Sequence, residues 1–114
     1  MMGADRRLKK GLELFNRGEY FECHEVVENL WLKTPVDDPL RDFYKGIIQA
    51  AAALYQRQRG VASGAEGLYK TSLRYLQAYS PETLGLDVKK MSEDMERCFT
   101  QNAAPPRLKY NFKA

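Results

Sequence analysis

The chain has 114 residues, 44% hydrophobic and 29% charged, with a formal net charge of +3. That is the size and balance of one ordinary globular domain, able to bury a core without disulfides or metals. So mild a charge argues against a strongly basic nucleic-acid binder, and no window approaches the ~20 apolar residues that cross a bilayer.

Helix one is predicted from about Asp5 to Asn16, with Asp5 as its cap and Leu8, Leu12 and Phe15 as its apolar stripe. Arg6, Arg7, Lys9 and Lys10 crowd its start, where cations oppose the helix dipole. They precede only broken apolar stretches, which is no secretory signal pattern. Gly18 suits a left-handed helix end, and helix two follows over about Tyr20 to Lys33.

The segment Thr34-Pro35-Val36-Asp37-Asp38-Pro39 reads as a stop and a start, with Asp38 as cap and Pro39 in the first helical position. Helix three then runs to about Arg59. Its interior, Ile47 to Leu54, is apolar nearly all round and marks a central helix. Gly60 ends it. Helix four is predicted over about Ala62 to Tyr79, and Ser80-Pro81-Glu82 begins a turn or a single helical turn. Helix five is predicted over about Val88 to Thr100, capped by Asp87. This is an all-α fold: two helical hairpins plus a closing helix over residues 1–102, with residues 103–114 as an extended tail. Leu12, Gly18, Cys23, Val26 and Trp31 match Leu54, Gly60, Ala65, Leu68 and Leu73 at a constant offset of 42. That echo suggests paired hairpins of tetratricopeptide type, although the repeat there is about 34 residues.

Helix two carries the anomaly. His24, Glu28 and Trp31 are spaced to share a face that ought to be apolar. A buried, unpaired ionisable group costs about 2–5 kcal/mol, so these side chains need partners. Helix three offers Arg41, Lys45 and Gln49 at intervals of four. Antiparallel packing predicts an interhelical network of His24, Glu28, Arg41 and Gln49 under the lid of Trp31, with Arg41 as a bidentate mate for Glu28.

Metal binding is the first rival. His24 and Glu28 supply two ligands at helical spacing, with Glu25, Glu19 or Asp42 as a further acid. His24 is the chain's one histidine, so neither a paired-imidazole zinc site nor a ferritin-like dinuclear site can be built within the chain. No cofactor is expected. Acid–base chemistry is the second rival: a small hydrolase-like or metal-dependent enzyme using His24 with Glu25 and Glu28. No motif places a nucleophile, because Cys23 and His24 are helical neighbours pointing about 100° apart. No phosphate loop or dinucleotide fingerprint is present. Cys23 and Cys98 lack metal spacing and fall on apolar faces, which predicts reduced buried thiols and a cytoplasmic setting.

The tyrosines and cations of helices three and four read as half-buried rims with solvated charges, so nucleic acid is not the expected partner. The tail carries Arg107, Lys109 and Lys113 and alternates Leu108, Tyr110 and Phe112, a strand-like pattern expected to lie back across the bundle.

The stretch Phe15-Asn16-Arg17-Gly18-Glu19-Tyr20-Phe21-Glu22-Cys23-His24-Glu25-Val26-Val27-Glu28-Asn29-Leu30-Trp31 resembles the prokaryotic family known as domain of unknown function family 309. So do Arg41 to Leu54, the Gly60 turn with Gly64-Ala65, and Gly85-Leu86-Asp87-Val88, which extends the resemblance over about residues 8 to 88. The resemblance implies a small all-helical protein and signature residues at Glu19, His24, Glu25, Glu28, Trp31, Arg41 and Gln49. It implies no reaction. Cys23 stands where a small alanine is more typical, and the basic tail lies outside the resemblance. The expectation is a non-catalytic helical module, self-associating or monomeric, whose polar cluster sets helix register or lines a cleft for a small ligand or protein partner.

Overall fold

The structure, a computed structural model, describes residues 5–112. They form α1 (Arg6–Asn16), α2 (Tyr20–Leu32), α3 (Arg41–Gln58), α4 (Ala62–Leu76) and α5 (Val88–Gln101). The fold is all-α, as the apolar periodicity predicts. Sequential helices are neighbours: α1 packs on α2, α2 on α3 and α3 on α4.

Asp5 caps α1 by accepting from the Arg7 backbone N–H at 2.8 Å. The two hairpin turns are built alike. Gly18 and Gly60 both sit at φ 78°, a left-handed conformation cheap for glycine. After each, the chain closes a six-to-one bond, Glu19 N–H to Leu14 C=O and Val61 N–H to Gln56 C=O, both at 2.9 Å. Inside each, the glycine N–H reaches back three residues, Gly18 to Phe15 and Gly60 to Arg57. Both are Schellman closures. The offset of 42 seen in the sequence is therefore repeated in backbone geometry.

The core follows the predicted stripes. Leu8, Leu12 and Phe15 of α1 meet Cys23 and Val27 of α2, and Phe43, Ile47 and Leu54 of α3 in one cluster. Gly46 lets α4 approach α3: a Cβ there would meet the Leu76 side chain at 2.7 Å. From α5, Met91, Met95 and Cys98 enter the same cluster, and Phe99 stacks on Tyr69 at 4.6 Å.

Three boundaries differ from expectation. Helix α3 begins at Arg41, not Pro39, because Thr34 to Leu40 is held by turns, including Arg41 N–H to Asp38 C=O at 3.1 Å. Helix α4 tightens into a 3₁₀ turn over Gln77–Tyr79. After Pro81 the chain forms a hairpin, β1 (Glu82–Thr83) against β2 (Leu86–Asp87), antiparallel with Thr83 opposite Leu86. Its two turn residues, Leu84 and Gly85, both have positive φ (51° and 86°), as a two-residue type I′ loop demands.

The tail does lie back across the bundle. Lys109 C=O accepts from Asp87 N–H, and Asn111 N–H donates to Gly85 C=O, both at 2.9 Å. Leu86 and Tyr110 form an isolated antiparallel bridge, which docks the tail against β2 of the two-stranded hairpin. Leu108 is buried in the core cluster, with Tyr110 and Phe112 against it. A side chain on Gly85 would run into the Asn111 carbonyl, so this glycine serves both the turn and the docking. Asp94 on α5 joins the arrangement through Lys90, which donates to it at 2.6 Å and to Arg107 C=O at 3.2 Å.

Candidate functional site

The edge where α2 runs beside α3 carries the polar residues singled out above. Helix α2 turns Cys23, Val27 and Leu30 fully inward. That rotation leaves His24 and Glu28 half-buried at the rim and Glu25 exposed just outside. One ligand atom from each of His24, Glu25 and Glu28 lies within 4.8 Å of the others. His24 Nδ1 is 3.7 Å from Glu25 Oε2, too long for a hydrogen bond.

His24 also lines a groove of about 200 Å³ with Phe21, Ala52, Tyr55 and Gln56. Phe21 and Tyr55 form its aromatic wall, ring centroids 5.5 Å apart. Phe21 is 48% exposed, high for a large apolar side chain. Of the groove residues, Phe21, Ala52, Tyr55 and Gln56 escaped sequence reasoning as partners of His24 although the signal was present. His24 lies in the first half of α2, so antiparallel packing sets it against the second half of α3, where Tyr55 and Gln56 stand.

The predicted network does not form. Among the described residues, Glu28 has no ion-pair partner and no side-chain hydrogen bond, and the Gln49 side chain makes no hydrogen bond either. Arg41, the cation assigned to Glu28, goes to Trp31 instead, and Lys45 joins it there. The Arg41 guanidinium carbon is 4.2 Å and Lys45 Nζ 4.3 Å from the indole centroid. A cation–π contact is worth about 0.5–2 kcal/mol, comparable to a partly exposed ion pair. Trp31 is thus a platform for two cations and not a lid over a salt bridge. Glu19 is also outside the cluster: it sits before α2 and lies 3.7 Å from Arg17. Asp42 is exposed on α3 and belongs to no metal-capable group among the described residues.

The structure therefore brings His24, Glu25 and Glu28 together, sets Trp31 with Arg41, and leaves Gln49 half-buried between those positions along α3. Cys23, beside His24 in sequence, faces the other way. It is fully buried, and burial pushes its thiol up to about 12. An unionised thiol in the core is no nucleophile for this edge. What the edge can do is accept: two carboxylates and an imidazole converge on one point with an aromatic groove beside them. No helix among the described residues is long and apolar enough to cross a membrane.

The family model described as "Domain of unknown function (DUF309)" matches residues 8–68, which hold all of α2 and α3. The chain is similar to the uncharacterized protein YpuF of Bacillus subtilis (strain 168), 40% identical over 85 residues, 73% of this chain and 48% of that protein. It is also similar to an uncharacterized protein of Aquifex aeolicus (strain VF5), 25% identical over 119 residues, 100% of this chain and 35% of the relative. The chain spans less than half the length of either curated relative.

Proposed function

The chain belongs to the DUF309 family, and from that premise we propose a non-catalytic binding module whose recognition site is the edge between α2 and α3. One observation carries the reading: His24, Glu25 and Glu28 converge within 4.8 Å, and neither glutamate has a cation from another helix within ion-pair distance among the described residues. Carboxylates left half-solvated on a helix facing its neighbour are poor braces and good acceptors. The occupant they suit is a positively charged group, the ammonium or guanidinium of a small ligand or of a protein partner. The groove beside His24 suits the apolar stem of such a group, flanked by Phe21 and Tyr55. The buried thiols and the lack of a membrane-length helix among the described residues support a cytoplasmic setting, and the bacterial relatives support a prokaryotic one.

The test is an amide-shift titration of the ¹⁵N-labelled chain with N-acetyl-arginine amide. Saturable shifts confined to α2 and the second half of α3, lost in Glu28→Gln, are expected. Shifts that never saturate, or that survive in Glu28→Gln, would refute the reading.

The same convergence favours a second reading, in which the group received is a divalent metal ion. An imidazole with two carboxylates is a ligand set that zinc accepts. Stoichiometric zinc retained by chain purified without a histidine tag, and lost in His24→Ala, would give the site to the metal.

A further inference from the structure

The geometry points to a second subsite on the same edge: Trp31, Arg41 and Lys45 form a receptor for an oxyanion, a carboxylate or a phosphate group. This goes beyond the cation-accepting reading of His24, Glu25 and Glu28 and uses different side chains.

Three observations carry it. First, Arg41 and Lys45 sit one helical turn apart on α3, and both rest on one indole. Like charges at this spacing repel and destabilise a helix. Second, no carboxylate among the described residues lies within ion-pair distance of either cation, although Asp38 and Asp42 are close by in sequence. Third, Arg41 Nε is buried, and among the described residues the guanidinium makes no hydrogen bond to another side chain or carbonyl. A stack of this kind immobilises the guanidinium plane while leaving its outer N–H groups unbonded. Burying the stem and orienting the fork removes much of the entropy cost of bidentate oxyanion binding.

The alternative is that the indole contact alone accounts for both cations. That account explains why both cations sit over the indole, and it leaves their mutual repulsion without compensation. An oxyanion bridging the outer N–H groups of Arg41 and the Lys45 ammonium relieves it. With Glu28 one turn back along α2 from Trp31 and Glu25 a further turn back, the edge would then present opposite charges in series, a pattern suited to a ligand that carries both signs.

Trp31 is the one tryptophan in the chain, so its fluorescence reports on this subsite directly. The experiment titrates the full chain with inorganic phosphate and, separately, with N-acetyl-glutamate amide, each against sodium chloride at matched ionic strength. The expected result is a saturable change in Trp31 emission, beyond that of chloride, with at least one of the two oxyanions. Arg41→Gln and Lys45→Gln should each weaken it by about tenfold, the loss of one charge-assisted contact. Glu28→Gln should leave this titration saturable, which separates the subsite from the cation-accepting cluster. A response to phosphate alone assigns the phosphate class, and a response to the carboxylate alone assigns the carboxylate class. Emission that follows ionic strength only, or saturable binding unchanged in both cation variants, would overturn the assignment. Circular dichroism of both variants guards against reading an unfolded chain as a lost site, and Lys45→Gln keeps the test decisive if Arg41→Gln does not fold.

Discussion

Asn16 grips the peptide of Leu108 at both ends: its Oδ1 accepts from Leu108 N–H at 2.6 Å and its Nδ2 donates to Leu108 C=O at 3.0 Å. The last turn of α1 thereby anchors a segment 92 residues further along the chain. Leu108 itself is buried, so the amide pair holds in register a side chain whose burial contributes about 1.5–3 kcal/mol.

Removing the grip should loosen the tail before it unfolds the bundle. Asn16→Ala is expected to cost about 1–3 kcal/mol, the penalty for stranding partly buried polar groups. Native-state hydrogen exchange locates the effect. The Leu108 and Asn111 amides should lose protection while those of Ile47 and Ala50 keep most of theirs. Unchanged protection at Leu108 would mean that the apolar contacts alone hold the tail.

The matched hairpin turns make a quantitative claim. At Gly18 and at Gly60 an added Cβ would meet nothing within 4 Å, so the cost of alanine there is purely that of the left-handed backbone. Gly18→Ala and Gly60→Ala should each lose about 1–2 kcal/mol in urea unfolding, and by similar amounts. A difference between them above about 1 kcal/mol would show that the two closures are not equivalent.

Cys23 ties stability to alkaline pH. Burial raises its thiol from an ordinary 9.0 to about 12. Below pH 9 both folded and unfolded chains carry the proton, and the group adds no pH dependence. Between 9 and 12 the unfolded chain ionises while the folded one does not, so the unfolded state binds fewer protons and stability falls as pH rises. Burial also raises Cys98, Tyr20, Tyr44, Tyr69 and Tyr79, so chemical unfolding across this range should show that fall, and Cys23→Ala should make it shallower without abolishing it. The native chain should also resist thiol reagents at pH 8 that modify Cys23 and Cys98 once urea is added. Rapid labelling of Cys23 in the native state would contradict its place in the core.

Much of this fold is written in local signals. Gly18 and Gly60 punctuate two hairpins because only glycine adopts the left-handed end cheaply, and the alternation of Leu108, Tyr110 and Phe112 marks a strand. The β1–β2 turn was not legible: its first left-handed residue is Leu84, where Asn or Asp is usual, so no turn dipeptide announced it. At the site, helical spacing sets His24, Glu28 and Trp31 on one face of α2, and Glu25 stands beside the first two. Spacing misassigned Arg41, because a cation within reach of both a carboxylate and an indole has two partners of similar worth. Sequence spacing does not rank them. The turns from Thr34 to Leu40 bring the first residues of α3 level with Trp31, one turn beyond Glu28.

The most direct test of the account is the unfolding free energy of Glu28→Gln beside the parent chain. A carboxylate braced between helices would cost about 3–5 kcal/mol to neutralise. A carboxylate held at the rim for a ligand, without a partner in the fold, should cost no more than about 0.5 kcal/mol, as surface substitutions do. A loss within that smaller bound, with the native circular dichroism spectrum intact, is the result expected. A loss of about 2 kcal/mol or more would mean that Glu28 belongs to the scaffold and that the acceptor site assigned to this edge does not exist.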